Sequence, residues 1–351
     1  MNETLTDFGF NMRAEMAEQP TVLTRLLADW DRYVAAVAQH IPSDIRGVVF
    51  VGRGSSDNAA TIGRYAVEHN AHVPAWLTAP SLSTRYGQGL ALDNHLIVAL
   101  SQSGGTPEII DTALGLRGTN SRVIGVTNHA ESRLAQVADY AMLLNAGVEQ
   151  AVPATKTVTA QVIFMYVIAS AIAINNGLPE IMSSADRFAI PDAVRDIIHD
   201  ASGVRRVVGE WSQFNRLQVT GRGLTYGASL EAALKIKETT GVFAQAISAA
   251  DFVHGPIAAI DSQLPVLVVD AGGPHVNELT ALAQRLRDMG GPVATMNTSP
   301  SADLTLPSHL SELMQSIPVI VRGQQLALEW ALAVGRNPDQ PAGLNKMTLT
   351  F

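Results

Sequence analysis

Short apolar runs that end in glycine and serine, separated by stretches of helical spacing, set the rhythm of this chain. Residues Asn11 to His40 place Met12, Met16, Val22, Leu23, Leu26, Leu27 and Trp30 on a helical period, and Pro20 is expected to break that helix. Gly47-Val48-Val49-Phe50-Val51 reads as a buried parallel strand, because it is apolar without alternation and stops at a turn. Ser56-Asp57-Asn58 then supplies an N-cap for a helix over Ala59 to His69. The unit recurs as strand Leu96 to Leu100, a loop, a helix from about Pro107, strand Val123 to Val126 and a helix around Arg133. Strands alternating with helices of this length predict an α/β fold, a doubly wound parallel sheet with its site at the carboxyl ends of the strands. The longest apolar run, Val162 to Ile174, contains Ser170 and predicts a buried helix rather than a membrane span. Asn175-Asn176-Gly177-Leu178-Pro179 closes this half.

The same layout then returns. Val51-Gly52-Arg53-Gly54-Ser55-Ser56 is answered 169 positions later by Thr220-Gly221-Arg222-Gly223-Leu224-Thr225. Leu96 to Leu100 with Gly104-Gly105 is answered by Val266 to Val269 with Gly272-Gly273, and Asn128 by Asn297. Landmarks at a nearly constant offset predict two homologous α/β halves. The chain divides into a helical arm (1–46), a first half (47–179), a helical connector (180–215), a second half (216–335) and a tail (336–351). Proline and glycine exclude regular helix or sheet from the tail.

The two copies differ where function is expected. In the first, Ser55, Ser56, Ser101, Ser103 and Thr106 offer hydroxyls, and Gly54, Gly104 and Gly105 let backbone N–H groups approach a ligand. Each loop feeds a helix N-terminus, so the arrangement suits a phosphate. In the second copy Asp270-Ala271-Gly272-Gly273-Pro274 adds a carboxylate and removes every hydroxyl, and is expected to repel an anion. The third glycine of a dinucleotide fingerprint is missing and no Walker loop is present, which argues against nucleotides.

A second constellation lies in Ser229 to Glu238, where Glu231, Lys235 and Glu238 share one helical face at i, i+4 and i+7. On a generic helix this is a solvated ladder. Here it follows the second glycine loop, and Asp251-Phe252-Val253-His254-Gly255-Pro256 comes soon after, with His254 suited to acid/base work. His69 and His72, the only close histidine pair, read as a helix end and not as a metal site. With 47% hydrophobic and 16% charged residues among 351, the chain is well packed, and its net charge of −8 argues against nucleic acid. The absence of cysteine removes disulfides, thiolate metal sites and a cysteine nucleophile. The opening Met-Asn-Glu-Thr carries no signal pattern, so the expected location is the cytoplasm, away from any membrane.

These motifs carry a family resemblance. Met12 to Pro20, Gly52 to Ala60, Leu100 to Thr106, Val152 to Gln161, Gly221 to Gly241, Ser248 to Ile260 and Asp339 to Thr350 resemble, in order, the sugar isomerase (SIS) family. The similarity is specifically to the isomerase half of glucosamine-6-phosphate synthase and, within that group, to the stand-alone synthase-like glucosamine-6-phosphate deaminases. It implies two tandem flavodoxin-like SIS domains and a C-terminal tail. Ser56, Ser101, Gln102, Ser103 and Thr106 would hold a sugar 6-phosphate, with Gly54 and Ser55 beside them and Val152 also contacting substrate. Glu238 would move the proton between C1 and C2, and His254 would open the ring from a neighbouring subunit of a homodimer. Lys346 would form a Schiff base with the open ketose, and Lys235 would assist. No cofactor and no metal are implied. No glutaminase part with its cysteine is expected, so the implied reaction turns an amino-sugar 6-phosphate into ketose phosphate and ammonia. Ala154, Gly105, Arg53, Asn345 and Met347 depart from the family pattern and leave the sugar open. A deglycase or isomerase of another phosphosugar amine, such as a fructosamine 6-phosphate, and a sugar-phosphate sensor without turnover, are the alternatives.

Overall fold

In the computed structural model, which describes residues 8–87 and 89–346, the N-terminal arm forms helices α1 (Phe10–Ala28) and α2 (Trp30–Ala38). Pro20 sits inside α1 and does not break it. The proline lacks the N–H that would reach the Met16 carbonyl, and the Gln19 side chain donates Nε2 to that carbonyl instead, at 3.3 Å.

Next come β1 (Gly47–Val51) and α3 (Ser55–Ala66), the latter continuing into a wider π-helical turn at Val67–Ala71. Helix α3 starts four residues earlier than its sequence suggests. Its N-cap is Gly54, at φ 58° and ψ −129°, a conformation that glycine adopts without strain, and this brings Ser55 and Ser56 into the first turn. There follow β2 (Ala75–Leu77), α4 (Pro80–Thr84), β3 (His95–Leu100), α5 (Pro107–Gly115), β4 (Arg122–Thr127), α6 (Arg133–Val137) and β5 (Tyr140–Leu143). All five strands are parallel, in the order β2-β1-β3-β4-β5. The apolar run belongs to α7 (Lys156–Asn175), which is long and apolar enough to cross a membrane but is buried against protein, packing on α2 and α3.

Helices α8 (Ser184–His199) and α9 (Ser202–Trp211) form the connector. The second sheet uses β6 (Arg216–Gly221), β7 (Phe243–Ser248), β8 (Val266–Asp270), β9 (Val293–Asn297) and β10 (Leu304–Thr305). Around it lie α10 (Tyr226–Thr240), α11 (Ala249–Val253), α12 (Val276–Asp288) and α13 (Ser316–Ala333). Its order, β10-β9-β8-β6-β7, repeats that of the first sheet when read from the other edge. Two tandem doubly wound parallel sheets are therefore present. Helices α10 and α13 approach closely at Gly323, where a Cβ would lie 2.6 Å from that of Ala232.

The chain collects into two compact units. The first holds residues 21–148 and 156–188; the second holds 8–20, 149–155 and 189–346. Val49, Val51, Ile97, Ala99 and Ile110 lead one core, and Val266, Val268, Leu279 and Leu286 lead the other. Each large aliphatic side chain fully buried in this way contributes about 1.5–3 kcal/mol.

Candidate active site

In the first unit the chain runs from β1 to β2 on one side and then to β3 on the other, so β1 and β3 flank the topological switch point. Ligands of open α/β sheets bind at the carboxyl ends of such strands. The two hydroxyl-bearing loops leave β1 and β3 there. Ser101 Oγ lies 3.5 Å from Ser103 Oγ and 3.3 Å from Thr106 Oγ1, which gathers three hydroxyls in one place. Ser101 Oγ also accepts the Gly104 N–H at 3.1 Å, and Ser103 Oγ accepts that of Gly105 at 3.3 Å. Gly104, at φ 61°, has no room for a side chain, because one would run into the hydroxyls of Ser132 and Thr127. The Gln102 carbonyl accepts Thr127 Oγ1 and the Asn128 N–H, fixing the loop's other limb. Ser56 is buried and accepts Gln161 Nε2 at 3.0 Å. Gly52 is obligatory, since a Cβ there would sit 2.9 Å from the Ser56 backbone. Arg53 braces the two loops with a bidentate pair to buried Glu108, 2.9 Å on each arm.

In the second unit the loops after β6 and β8 keep the same form but already hold an anion. Glu312 accepts the Leu224 N–H at 3.0 Å, and a side chain on Gly223 or Gly273 would collide with its carboxylate. Leu224 is the counterpart of Ser55, and Gly273 that of Gly105. In the second copy the chain's own Glu312 thus takes the Leu224 N–H, and its carboxylate joins that of Asp270 beside these loops.

The same unit carries the carboxylate–lysine cluster on α10. The face is not solvated: Glu231 and Lys235 are fully buried, and Glu238 is about three-quarters buried. Lys235 Nζ lies 3.6 Å from Glu231 Oε1 and donates a short hydrogen bond to Glu238 Oε2. Burial disfavours the ammonium, but Glu231 and Glu238, with Glu149 behind them, outweigh it and hold Lys235 above the ordinary lysine value. Glu238 opens on a cleft of about 570 Å³ shared with Lys237, Gly241, Arg336, Asn337 and Leu344. His254 follows α11, its backbone tied to the Asp251 carbonyl and its side chain exposed. No side-chain bond joins it to Glu238, Lys235 or Lys346 among the described residues.

Lys346 lies in the tail, where Nζ donates to Glu149 Oε2 and to the Ala151 carbonyl, both at 2.7 Å. Val152, next in line, donates its N–H to the Asp339 carbonyl at 2.9 Å. Glu15 of α1 accepts the N–H groups of Gln150 and Ala151. Asp339 accepts those of Asn11 at 3.0 Å and Met12 at 2.7 Å. The tail segment 336–346 is therefore pinned, with Pro338, Asp339 and Pro341 buried. Residues 347–351, including Met347, lie outside the described residues. Glu149 and Glu312 escaped the motif reading, and Glu15 and Asp339 lay inside matching segments without a role of their own. One signal for Glu15 was available: with Gln19 it shares the stripe of Met12, Met16 and Leu23, an odd place for a carboxylate.

Residues 43–171 and 211–334 match the SIS domain, one segment for each sheet. The glutamine–fructose-6-phosphate aminotransferase (isomerizing) of Methanothermobacter thermautotrophicus is 29% identical over 346 residues, covering 95% of this chain and 56% of that protein. The chain thus spans little more than half the length of such relatives. The C-terminal domain of glucosamine-fructose-6-phosphate aminotransferase from Francisella tularensis shares 23% identity at a TM-score of 0.79, covering 94% of this chain and 98% of that one. Glucosamine-6-phosphate deaminase from Thermotoga maritima shares 22% at 0.73, covering 95% and 100%. At these identities the solved structures speak for the fold. Two matched segments, on two sheets of one strand order, establish that the chain belongs to the SIS domain family as a tandem pair.

Proposed function

We propose that this SIS protein is a phosphosugar isomerase acting as a deaminase, converting an amino-sugar 6-phosphate, first of all glucosamine 6-phosphate, to fructose 6-phosphate and ammonia. The observation that carries the reading is Glu238, braced by a fully buried lysine and opening on a cleft walled by the tail of Lys346. Lys235 gives the carboxylate its counter-charge and fixes its direction, as a base shifting a proton between C1 and C2 requires. The cradle of Ser56, Ser101, Gln102, Ser103 and Thr106, with the amides around Gly54 and Ser55, would take the 6-phosphate. His254, exposed on its turn, would open the ring in the neighbouring subunit of a homodimer. Lys346 would condense with the open ketose, with Val152 lining the approach.

A sensor would need the cradle but not this set of reactive groups, which favours turnover. Ala154 stands where the synthase has a serine and leaves the sugar open, so the second reading is a deglycase or isomerase of another phosphosugar amine, of fructosamine 6-phosphate type. Ammonia release measured across glucosamine, galactosamine and fructosamine 6-phosphates decides between them. Release from none, with tight sugar-phosphate binding, would reject the enzyme reading in favour of the sensor.

A further inference from the structure

The proposed imine chemistry needs a neutral Lys346 amine, aimed at the carbonyl and relieved of a proton. We infer that Glu149 is the positioning residue for Lys346: its carboxylate holds the Nζ group in line and receives the proton the amine must shed before it attacks a carbonyl.

The geometry supports this from several sides. The Glu149 side chain is fully buried, whereas that of Lys346 is about one-quarter exposed, so the lysine reaches inward to meet a fixed partner. One carboxylate oxygen, Oε1, accepts the Thr155 N–H at 2.9 Å, which locks the rotamer, and Oε2 is given to Lys346. The Ala151 carbonyl accepts a second hydrogen bond from Nζ at the same 2.7 Å, so two acceptors on one short segment orient the nitrogen. That segment is itself held: Glu15 accepts the Gln150 and Ala151 N–H groups, and Val152 bonds the Asp339 carbonyl. Glu231 and Glu238 share Lys235, and burial together with nearby Glu149 favours the neutral form of Glu15. This leaves Glu149 as the carboxylate in direct contact with the Lys346 nitrogen.

In the proposed step the Lys346 ammonium gives one N–H proton to Glu149. The freed lone pair forms a C–N bond to the open-chain carbonyl carbon, whose electron pair moves onto oxygen. That oxygen leaves as water after gaining two protons, one from the nitrogen and the one Glu149 had held. Ammonium plus ketone thus becomes protonated imine plus one water, and Glu149 ends as a carboxylate.

The inference rests on the Schiff-base reading, so the test is arranged to separate the two. Purified protein is incubated with fructose 6-phosphate and borohydride, and the adduct on the Lys346 peptide is timed by mass spectrometry. Glu149→Gln keeps the shape and an acceptor for Thr155 but cannot take the proton. It should trap at least about tenfold more slowly and lose roughly 100-fold in kcat, within the range of a lost proton-transfer partner, with KM nearly unchanged. Glu149→Asp, which keeps the charge but draws it back by one methylene, should recover part of the trapping rate, and it serves if the glutamine variant misfolds. A purely structural role would lower the unfolding midpoint and leave trapping per folded molecule untouched, which would overturn the inference. No adduct in the wild-type protein would also overturn it, while steady-state ammonia release would still decide the isomerase reading.

Discussion

Ser101 serves two ends at once: its hydroxyl shapes the loop by accepting the Gly104 N–H and stands within 3.5 Å of the hydroxyls of Ser103 and Thr106. Ser101→Ala with Ser103→Ala should therefore raise KM steeply, each lost charge-assisted bond costing about 1.5–3 kcal/mol, roughly tenfold or more. Unchanged kinetics in the double variant would remove the cradle from the site. Glu15 makes a prediction in pH. Burial is the main cause that lifts its pKa above the ordinary 4.5, aided by Glu149 and opposed by the Gln150 and Ala151 N–H groups; its second oxygen has no hydrogen-bond partner among the described residues. The folded state then holds this proton more tightly than the unfolded chain. Ionising Glu15 costs stability, a cost absent below the unfolded value and growing as pH rises through the folded one. Glu15→Gln keeps an acceptor and loses the charge, so its melting temperature relative to wild type should climb from pH 4.5 to 8. A flat difference across that range would show that Glu15 stays ionised throughout.

At the scale of elements, the tail and α1 complete one another. Helix α1 opens with unpaired N–H groups, and the cap comes from Asp339, 328 positions away from Asn11, in place of a local serine or aspartate. Asp339→Ala should lower unfolding free energy by about 1–2 kcal/mol, the usual worth of a helix cap, and should cut kcat because the same segment carries Lys346. Urea titration reads the first effect and steady-state kinetics the second; a stability loss with full kcat would confine Asp339 to the scaffold. The strands divide by burial. β1, β3, β4 and β8 were legible because nearly every residue in them is buried, which writes an unbroken apolar run. Three of the four edge strands, β2, β5 and β10, are two to four residues long and partly exposed, so no pattern announces them. Helix α3 was placed too late because serine and aspartate advertise a cap, whereas the backbone turn made by Gly54 sets the actual start.

At the scale of the whole molecule, duplication has been followed by divergence: one copy gathers hydroxyls in its loop, and in the other Glu312 takes the Leu224 N–H. If the exposed His254 serves a neighbouring subunit, two inactive variants should complement. Mixing His254→Ala with Glu238→Gln subunits should restore up to about one-quarter of wild-type activity through hybrid dimers, as two-fold symmetry allows. An active monomer in sedimentation, or no recovery after confirmed subunit exchange, would reject the shared site. By itself the sequence determined the two sheets, the repeat and the cradle, since each is written in neighbouring residues: apolar runs, glycine turns and hydroxyls at fixed spacing. It also placed Glu231, Lys235 and Glu238 on one face, because helical spacing is local. Whether that face met water or protein was decided by tertiary packing, which buries Glu231 and Lys235 fully. Only the tertiary structure could choose the partners of Glu15, Glu149, Asp339 and Lys346. Glu15 meets Gln150 from 135 positions away and Lys346 meets Glu149 from 197, so no short-range pattern encodes these pairs. Burial of the apolar stripe of α1 brings those groups out of water together, and there a carboxylate must find an N–H or an ammonium.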